Sequence, residues 1–179
     1  GVNKKVPFAE SDPIERTISP YAATKLAGEQ VCSNYSHLFG IRSICLRFFT
    51  VYGPRQRPDL AISKFARRIL HERPIPKFGN GHTARDYTYI DDIIDGIVAT
   101  LNYEKQDFDI FNLGGSQTTT LNELISLLEQ ALGKKAIIEQ HPEQAGDVPR
   151  TFADVSKAKE LLKYTPATPI AQGIPRYID

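Results

Sequence analysis

The chain has 179 residues, 41% hydrophobic and 24% charged, which are the proportions of a soluble globular protein and exclude a disordered tail. Lys+Arg 22 against Asp+Glu 21 leaves a net charge of +1, so there is no basic field of the kind that binds nucleic acid. No apolar run approaches the ~20 residues that cross a bilayer, and no signal-peptide pattern opens the chain. Cys32 and Cys45 are too few for a disulfide scaffold and are expected as buried free thiols in a reducing compartment, the cytoplasm. Methionine is absent, and Gly1 to Ser19 reads as sequence from the middle of a protein. The expectation is therefore a fragment or processed product.

In chain order, Ser19-Pro20 predicts a helix start, because Ser accepts free amide hydrogens and Pro costs nothing at the first helical position. That helix should run to about Phe39 and stop at Gly40. Ile41 to Phe49 reads as a buried strand, broken by Val51-Tyr52-Gly53-Pro54. A polar, basic loop (GPRQRPD) leads to a helix over about Leu60 to His71. Pro74 and Pro76 flank a short strand, Ile75 to Phe78, ended by Gly79-Asn80-Gly81. Asp91-Asp92 is expected to cap a third helix, and Asp109 to Leu113 reads as a strand closed by Gly114-Gly115. Thr120 and Glu123 make a capping box ahead of a helix through Leu132, with Gly133 at its end. Ala136 to Glu139 is a strand candidate. Asp154 caps a helix over Val155 to Leu162, and Thr168-Pro169 starts a last one. Alternating helices and short strands predict an α/β fold.

Gly79-x-Gly81-x-x-Ala84 matches the dinucleotide fingerprint on paper, but that motif needs a helix to follow, and Arg85 to Ile90 is strand-like. The glycines therefore serve a turn, and no phosphate-binding glycine loop is found. Tyr21-x-x-x-Lys25 puts a phenol and an amine on one face of the first helix. A free phenol, with a pKa of roughly 10, is a poor base at neutral pH, and a nearby ammonium favours its phenolate. From spacing alone, an ordinary surface pair on a helix is the favoured explanation of the two residues. Arg85 follows a glycine turn and suits forked contacts with phosphate oxygens, or else it is a solvated loop charge. The four histidines and two cysteines have no metal-ligand spacing, so no metal is expected. There is also no nucleophile elbow for serine hydrolysis.

Taken in order, five blocks (SPYAATKLAGEQ, LRFFTVYGPRQRPD, FGNGHTARDYTYIDDI, FNLGG and AGDVPRTFADVSKAKELL) resemble the nucleotide-sugar epimerases and dehydratases among the extended short-chain dehydrogenase/reductases. The resemblance spans almost the whole chain. The nearest branch is UDP-glucuronate 4-epimerase, through Thr50 before Tyr52-Gly53-Pro54, Arg57-Pro58-Asp59, and Gln144 before Gly146-Asp147.

The resemblance implies an incomplete Rossmann-like doubly wound sheet joined to a smaller substrate-binding part. Residues 1–53 would be the end of the NAD-binding domain, and 54–179 the nucleotide-sugar domain, with 108–115 returning a strand to the Rossmann sheet. The implied activity is an NAD-dependent UDP-sugar 4-epimerase passing through a 4-keto sugar, with UDP-glucuronate and UDP-galacturonate as substrates. UDP-glucose 4-epimerase, 4,6-dehydratase and uronate decarboxylase share the fold. A further alternative is a non-catalytic fragment that binds a UDP-sugar without NAD. Tyr21 would be the base at the sugar 4-hydroxyl. Lys25 would favour the phenolate and bond the nicotinamide ribose, and Phe49 and the Val51 backbone would border the nicotinamide. Thr50 and Arg57 would face the sugar, Lys77 and Phe78 the uridine, and Arg85 the diphosphate, helped by Gln144 and Asp147. The family's glycine loop and catalytic Ser/Thr are not matched, so the chain alone is expected to be inactive. The implied partner, besides a UDP-sugar, is a second copy docked through residues 20–39.

Overall fold

The structure, a computed structural model, describes residue 3, residues 5–143 and residues 148–179. Its first helix, α1, spans Pro20–Phe39. The Ser19 side chain accepts the Ala22 amide, and Gly40 closes the helix in the left-handed region at φ 63°, as the sequence predicts. Gly40 turns the chain back along α1 into β1, Ser43–Phe48, shorter than the expected strand. β1 pairs in parallel with β6, Phe108–Leu113, with Ser43 opposite Phe108 and Phe48 opposite Leu113.

The expected break at Val51 and Tyr52 is instead a second strand. β2, Thr50–Tyr52, pairs in parallel with β5, Tyr87–Tyr89. The chain changes partner at Phe49, whose amide donates to Leu113 at 3.1 Å, whereas the Thr50 amide donates to Asp86 at 2.9 Å. Phe49 and Thr50 therefore sit where one parallel ladder hands over to the next.

The rest builds outward from these ladders. Helix α2 covers Ala61–Leu70, and β3 covers Ile75–Phe78, pairing in parallel with β8, Ile138–His141. β4, Ala84–Arg85, pairs antiparallel with β7, Thr119–Thr120. Gly79 (φ 60°) and Gly81 (φ 79°) lead into this strand and not into a helix, so the glycine pair makes a turn as expected. Helix α3 spans Ile90–Leu101 and α4 spans Leu121–Leu132, the latter opened by the full Thr120–Glu123 capping box and closed by Gly133. The short α5, Ser156–Leu162, and α6, Ile170–Ile178, complete the chain.

One expectation fails at α3. Its N-cap is Tyr89, with no side-chain cap bond. Asp92 instead accepts the Ala167 and Thr168 amides at 3.1 and 3.0 Å, fastening the lead-in to α6. Those two orphan amides lie far along the chain, beyond the reach of a local capping rule.

Two apolar cores result. One gathers Ile62, Phe65 and Ile69 of α2, Ile75, Leu124 and Leu128 of α4, and Ile174 of α6. The other gathers Ile93, Tyr103, Phe111, Leu113, Leu162 and Tyr164, with Ile44 and Leu46 of β1 against it. Each large side chain buried here contributes about 1.5–3 kcal/mol. Ile44 and Leu46 face this core, so the pleat turns Cys45 and Arg47 to the opposite face, under α1. Both cysteines are free but only half-buried, not buried as expected.

Candidate functional site

The Tyr21–Lys25 pair lies on the first two turns of α1. The Lys25 ammonium sits 5.4 Å from the centre of the Tyr21 ring, so four-residue spacing does bring phenol and amine together. Both line a cavity of about 520 Å³ shared with Phe49 and Thr50 from the ladder switch, and with Phe48, Asn112 and Thr151. Tyr21 is 71% exposed, so the phenol stands at an open mouth. Ala22, Leu26, Phe48 and Phe49 contribute an apolar lining to the cavity.

The frame behind the cavity is held by residues that sequence reasoning did not single out. Glu29, one turn beyond Lys25, accepts both Nε and Nη2 of Arg47 at 2.7 Å. That forked pair fixes α1 to the strand that delivers Phe49 and Thr50. The hydrogen bond that Arg47 donates to Glu29 raises the Arg47 pKa, against the opposing effect of burial. A signal was present: Tyr21, Lys25 and Glu29 repeat every four residues along one face. Asn112 on β6 donates through Nδ2 to the carbonyls of Phe8 and Asp154 at 2.8 and 3.1 Å, and its amide donates to Glu10 at 2.7 Å. It ties three segments to one floor.

Asp86 is fully buried. Its carboxylate accepts the Gly115 and Ala153 amides at 2.7 and 3.0 Å and the Thr88 hydroxyl at 3.3 Å. Burial raises its pKa against the pull of these donors. The Asp86 amide donates to the Thr151 hydroxyl at 3.3 Å, which draws the strand of Arg85 to the cavity edge.

The remaining candidates are dispersed. Val51 packs its side chain into the second core, and its carbonyl accepts from the Gln56 side-chain Nε2 at 3.0 Å. Arg57 is exposed, outside the cavity, and pairs with Asp59 at 2.9 Å. Lys77 and Phe78 lie on β3, where the Phe78 ring stacks on His141 with centres 5.1 Å apart. Phe78 also opens a second cavity of about 220 Å³ with Asn80, His82, Thr83 and Glu143. Arg85 donates to the Ala84 carbonyl at 2.8 Å. Gln144 and Asp147 lie outside the described residues. Among the described residues no cluster of His, Cys, Asp and Glu could hold a metal ion. No helix of the described residues is long and apolar enough to cross a membrane.

Residues 1–114 match the sequence profile of the NAD dependent epimerase/dehydratase family. The chain belongs to that family. Within it, an uncharacterised protein of Methanocaldococcus jannaschii is 47% identical over 99% of this chain and 54% of its own length. A UDP-glucuronate 4-epimerase of Thermodesulfobacterium geofontis is 43% identical over 97% of this chain and 53% of its own. The crystal structure of a UDP-glucuronic acid 4-epimerase from Bacillus cereus, in complex with UDP-glucuronic acid and NAD, superposes with a TM-score of 0.89 at 38% identity, covering 98% of this chain and 56% of that one. The chain thus spans about half the length of the family members it matches, and its parallel strand pairs reproduce part of their Rossmann-like α/β fold.

Proposed function

We propose that the protein is an NAD-dependent UDP-sugar 4-epimerase that interconverts UDP-glucuronate and UDP-galacturonate. The observation that carries this reading is the Tyr21–Lys25 pair sharing one cavity with Phe49 and Thr50 at the ladder switch. The relatives' names and the complex of the Bacillus cereus enzyme support the choice of sugar. Residues 1–53 with 108–115 would belong to the NAD-binding part, and 54–179 otherwise to the nucleotide-sugar part.

The cavity suits one end of NAD, the nicotinamide ring and its ribose. Its apolar lining would take the ring face, and Lys25 would reach the ribose hydroxyls. Bound NAD would supply a hydride acceptor and return the hydride to the other face of the sugar. Tyr21, as phenolate, takes the proton of the sugar 4-hydroxyl, leaving a 4-keto sugar, and gives it back when the alcohol re-forms. Lys25 stabilises the phenolate through its charge. Thr50 faces the sugar from the ladder switch. Arg57 would exchange Asp59 for the sugar carboxylate. Lys77 and Phe78 would line the uridine, and Arg85, with Gln144 and Asp147, the diphosphate.

A coupled assay on the full-length protein tests the reading. UDP-glucuronate and UDP-galacturonate should interconvert from either side in the presence of NAD. Turnover of neither would overturn the uronate assignment.

A further inference from the structure

Four side chains share the seam between α1 and β1. The inner face of α1 is the stripe Ala22, Leu26, Glu29, Cys32, Ser33 and Ser36, each buried or half-buried, whereas its neighbours are exposed. On β1, Ile44 and Leu46 belong to the opposite core, so Cys45 and Arg47 face that stripe. The Glu29–Arg47 fork sets the register. Because Gly40 reverses the chain, one turn forward on the helix from Glu29 corresponds to one pleat back on the strand from Arg47. That step brings Cys32 opposite Cys45. Small residues (Cys32, Ser33 and Ser36) line this end of the helix, which lets the two backbones approach closely.

From this packing we propose that Cys32 and Cys45 form a dithiol site that closes to an intramolecular disulfide when a low-molecular-weight disulfide such as oxidised glutathione is supplied. The inference rests on the α1–β1 seam alone and does not depend on the proposed activity. The Cys32 thiolate attacks one sulfur of oxidised glutathione, forming a mixed disulfide and expelling one glutathione thiolate. Cys45 then loses its proton and attacks the Cys32 sulfur, expelling the second glutathione. Two protein thiols are oxidised, one glutathione disulfide is reduced to two thiols, and the Cys32–Cys45 bond is formed. Burial, the Cys32 sulfur and the Glu29 carboxylate hold the Cys45 thiol pKa up at about 11, against the opposing charge of Arg47. Cys45 is therefore the resolving and slower partner, and closure accelerates as pH rises.

The test is to incubate the native protein with oxidised glutathione, quench with acid, and measure intact mass and thiols after unfolding. The expected result is a monomer whose mass falls by two hydrogens and which has lost both thiols, restored by dithiothreitol. Cys45→Ser should trap a single glutathione on Cys32, and Cys32→Ser should react far more slowly. Two persistent free thiols, two glutathione adducts, or a disulfide-linked dimer in the unsubstituted protein would each overturn the proposal. Because that first measurement uses the unsubstituted chain, a variant that folds poorly does not protect the idea.

Discussion

At the scale of single residues, two buried carboxylates set the frame by opposite means. Asp86 has its oxygens filled by the Gly115 and Ala153 amides and the Thr88 hydroxyl. Asp86→Asn would face an amide NH₂ against a backbone N–H and lose one acceptor. The expected cost is about 1–3 kcal/mol, read as a lowered Tm in thermal melts. An unchanged Tm would show that these bonds do not hold the loop. At Asp109, burial acts to raise the pKa, but hydrogen bonds from Lys157 and Tyr103 outweigh it and hold the group below its usual 3.8. Desolvation, with Asp109 adding to it, pushes the Tyr103 hydroxyl up to about 12. Because the folded pKa of Asp109 is depressed, its contribution is present above pH 3.8 and is lost as pH falls through the lower folded value. The Tm gap between the natural chain and Asp109→Asn should therefore be wide at neutral pH and close below about pH 4. A gap that does not change with pH would remove the ion pair from the explanation.

At the scale of elements, α1 has two faces with different tasks. The inner one carries Glu29 and Cys32. The outer one leaves Val31, Tyr35, Leu38 and Phe39 more than half exposed, Leu38 at 68%. A second copy docked through residues 20–39, the partner the resemblance implies, would cover this grouped apolar surface. Light scattering coupled to size exclusion should report a dimer for the natural chain. Val31→Lys with Leu38→Lys should give a monomer of undiminished Tm, and a natural chain that is monomeric at all concentrations would contradict the assignment. Local signals made most of these elements legible. The ends of α1 follow from Ser19, Pro20 and Gly40, and the start of α4 from Thr120 and Glu123, because caps are short-range chemistry. β2 was not legible, since three residues before Gly-Pro read as a break and only β5, distant in sequence, makes them a strand. Asp92 was misread for the same reason: its donors are Ala167 and Thr168.

At the scale of the whole molecule, the site is assembled by the ladder switch at Phe49, which no periodicity in the sequence announces. The pairing of Tyr21 with Lys25 was legible from spacing, and its company with Phe49 and Thr50 in one cavity needed the fold. Arg57, Phe78 and Arg85 do not line the Tyr21 cavity, so a UDP-sugar held by all of them would have to extend beyond it. The reading turns on proton transfer by the Tyr21 phenol, and Tyr21→Phe removes that oxygen while leaving the ring in place. In the full-length protein with NAD, this substitution should lower the UDP-glucuronate to UDP-galacturonate turnover by about 10²–10⁴-fold and leave UDP-glucuronate affinity within a few-fold. Turnover at the natural rate by the Tyr21→Phe protein would contradict it.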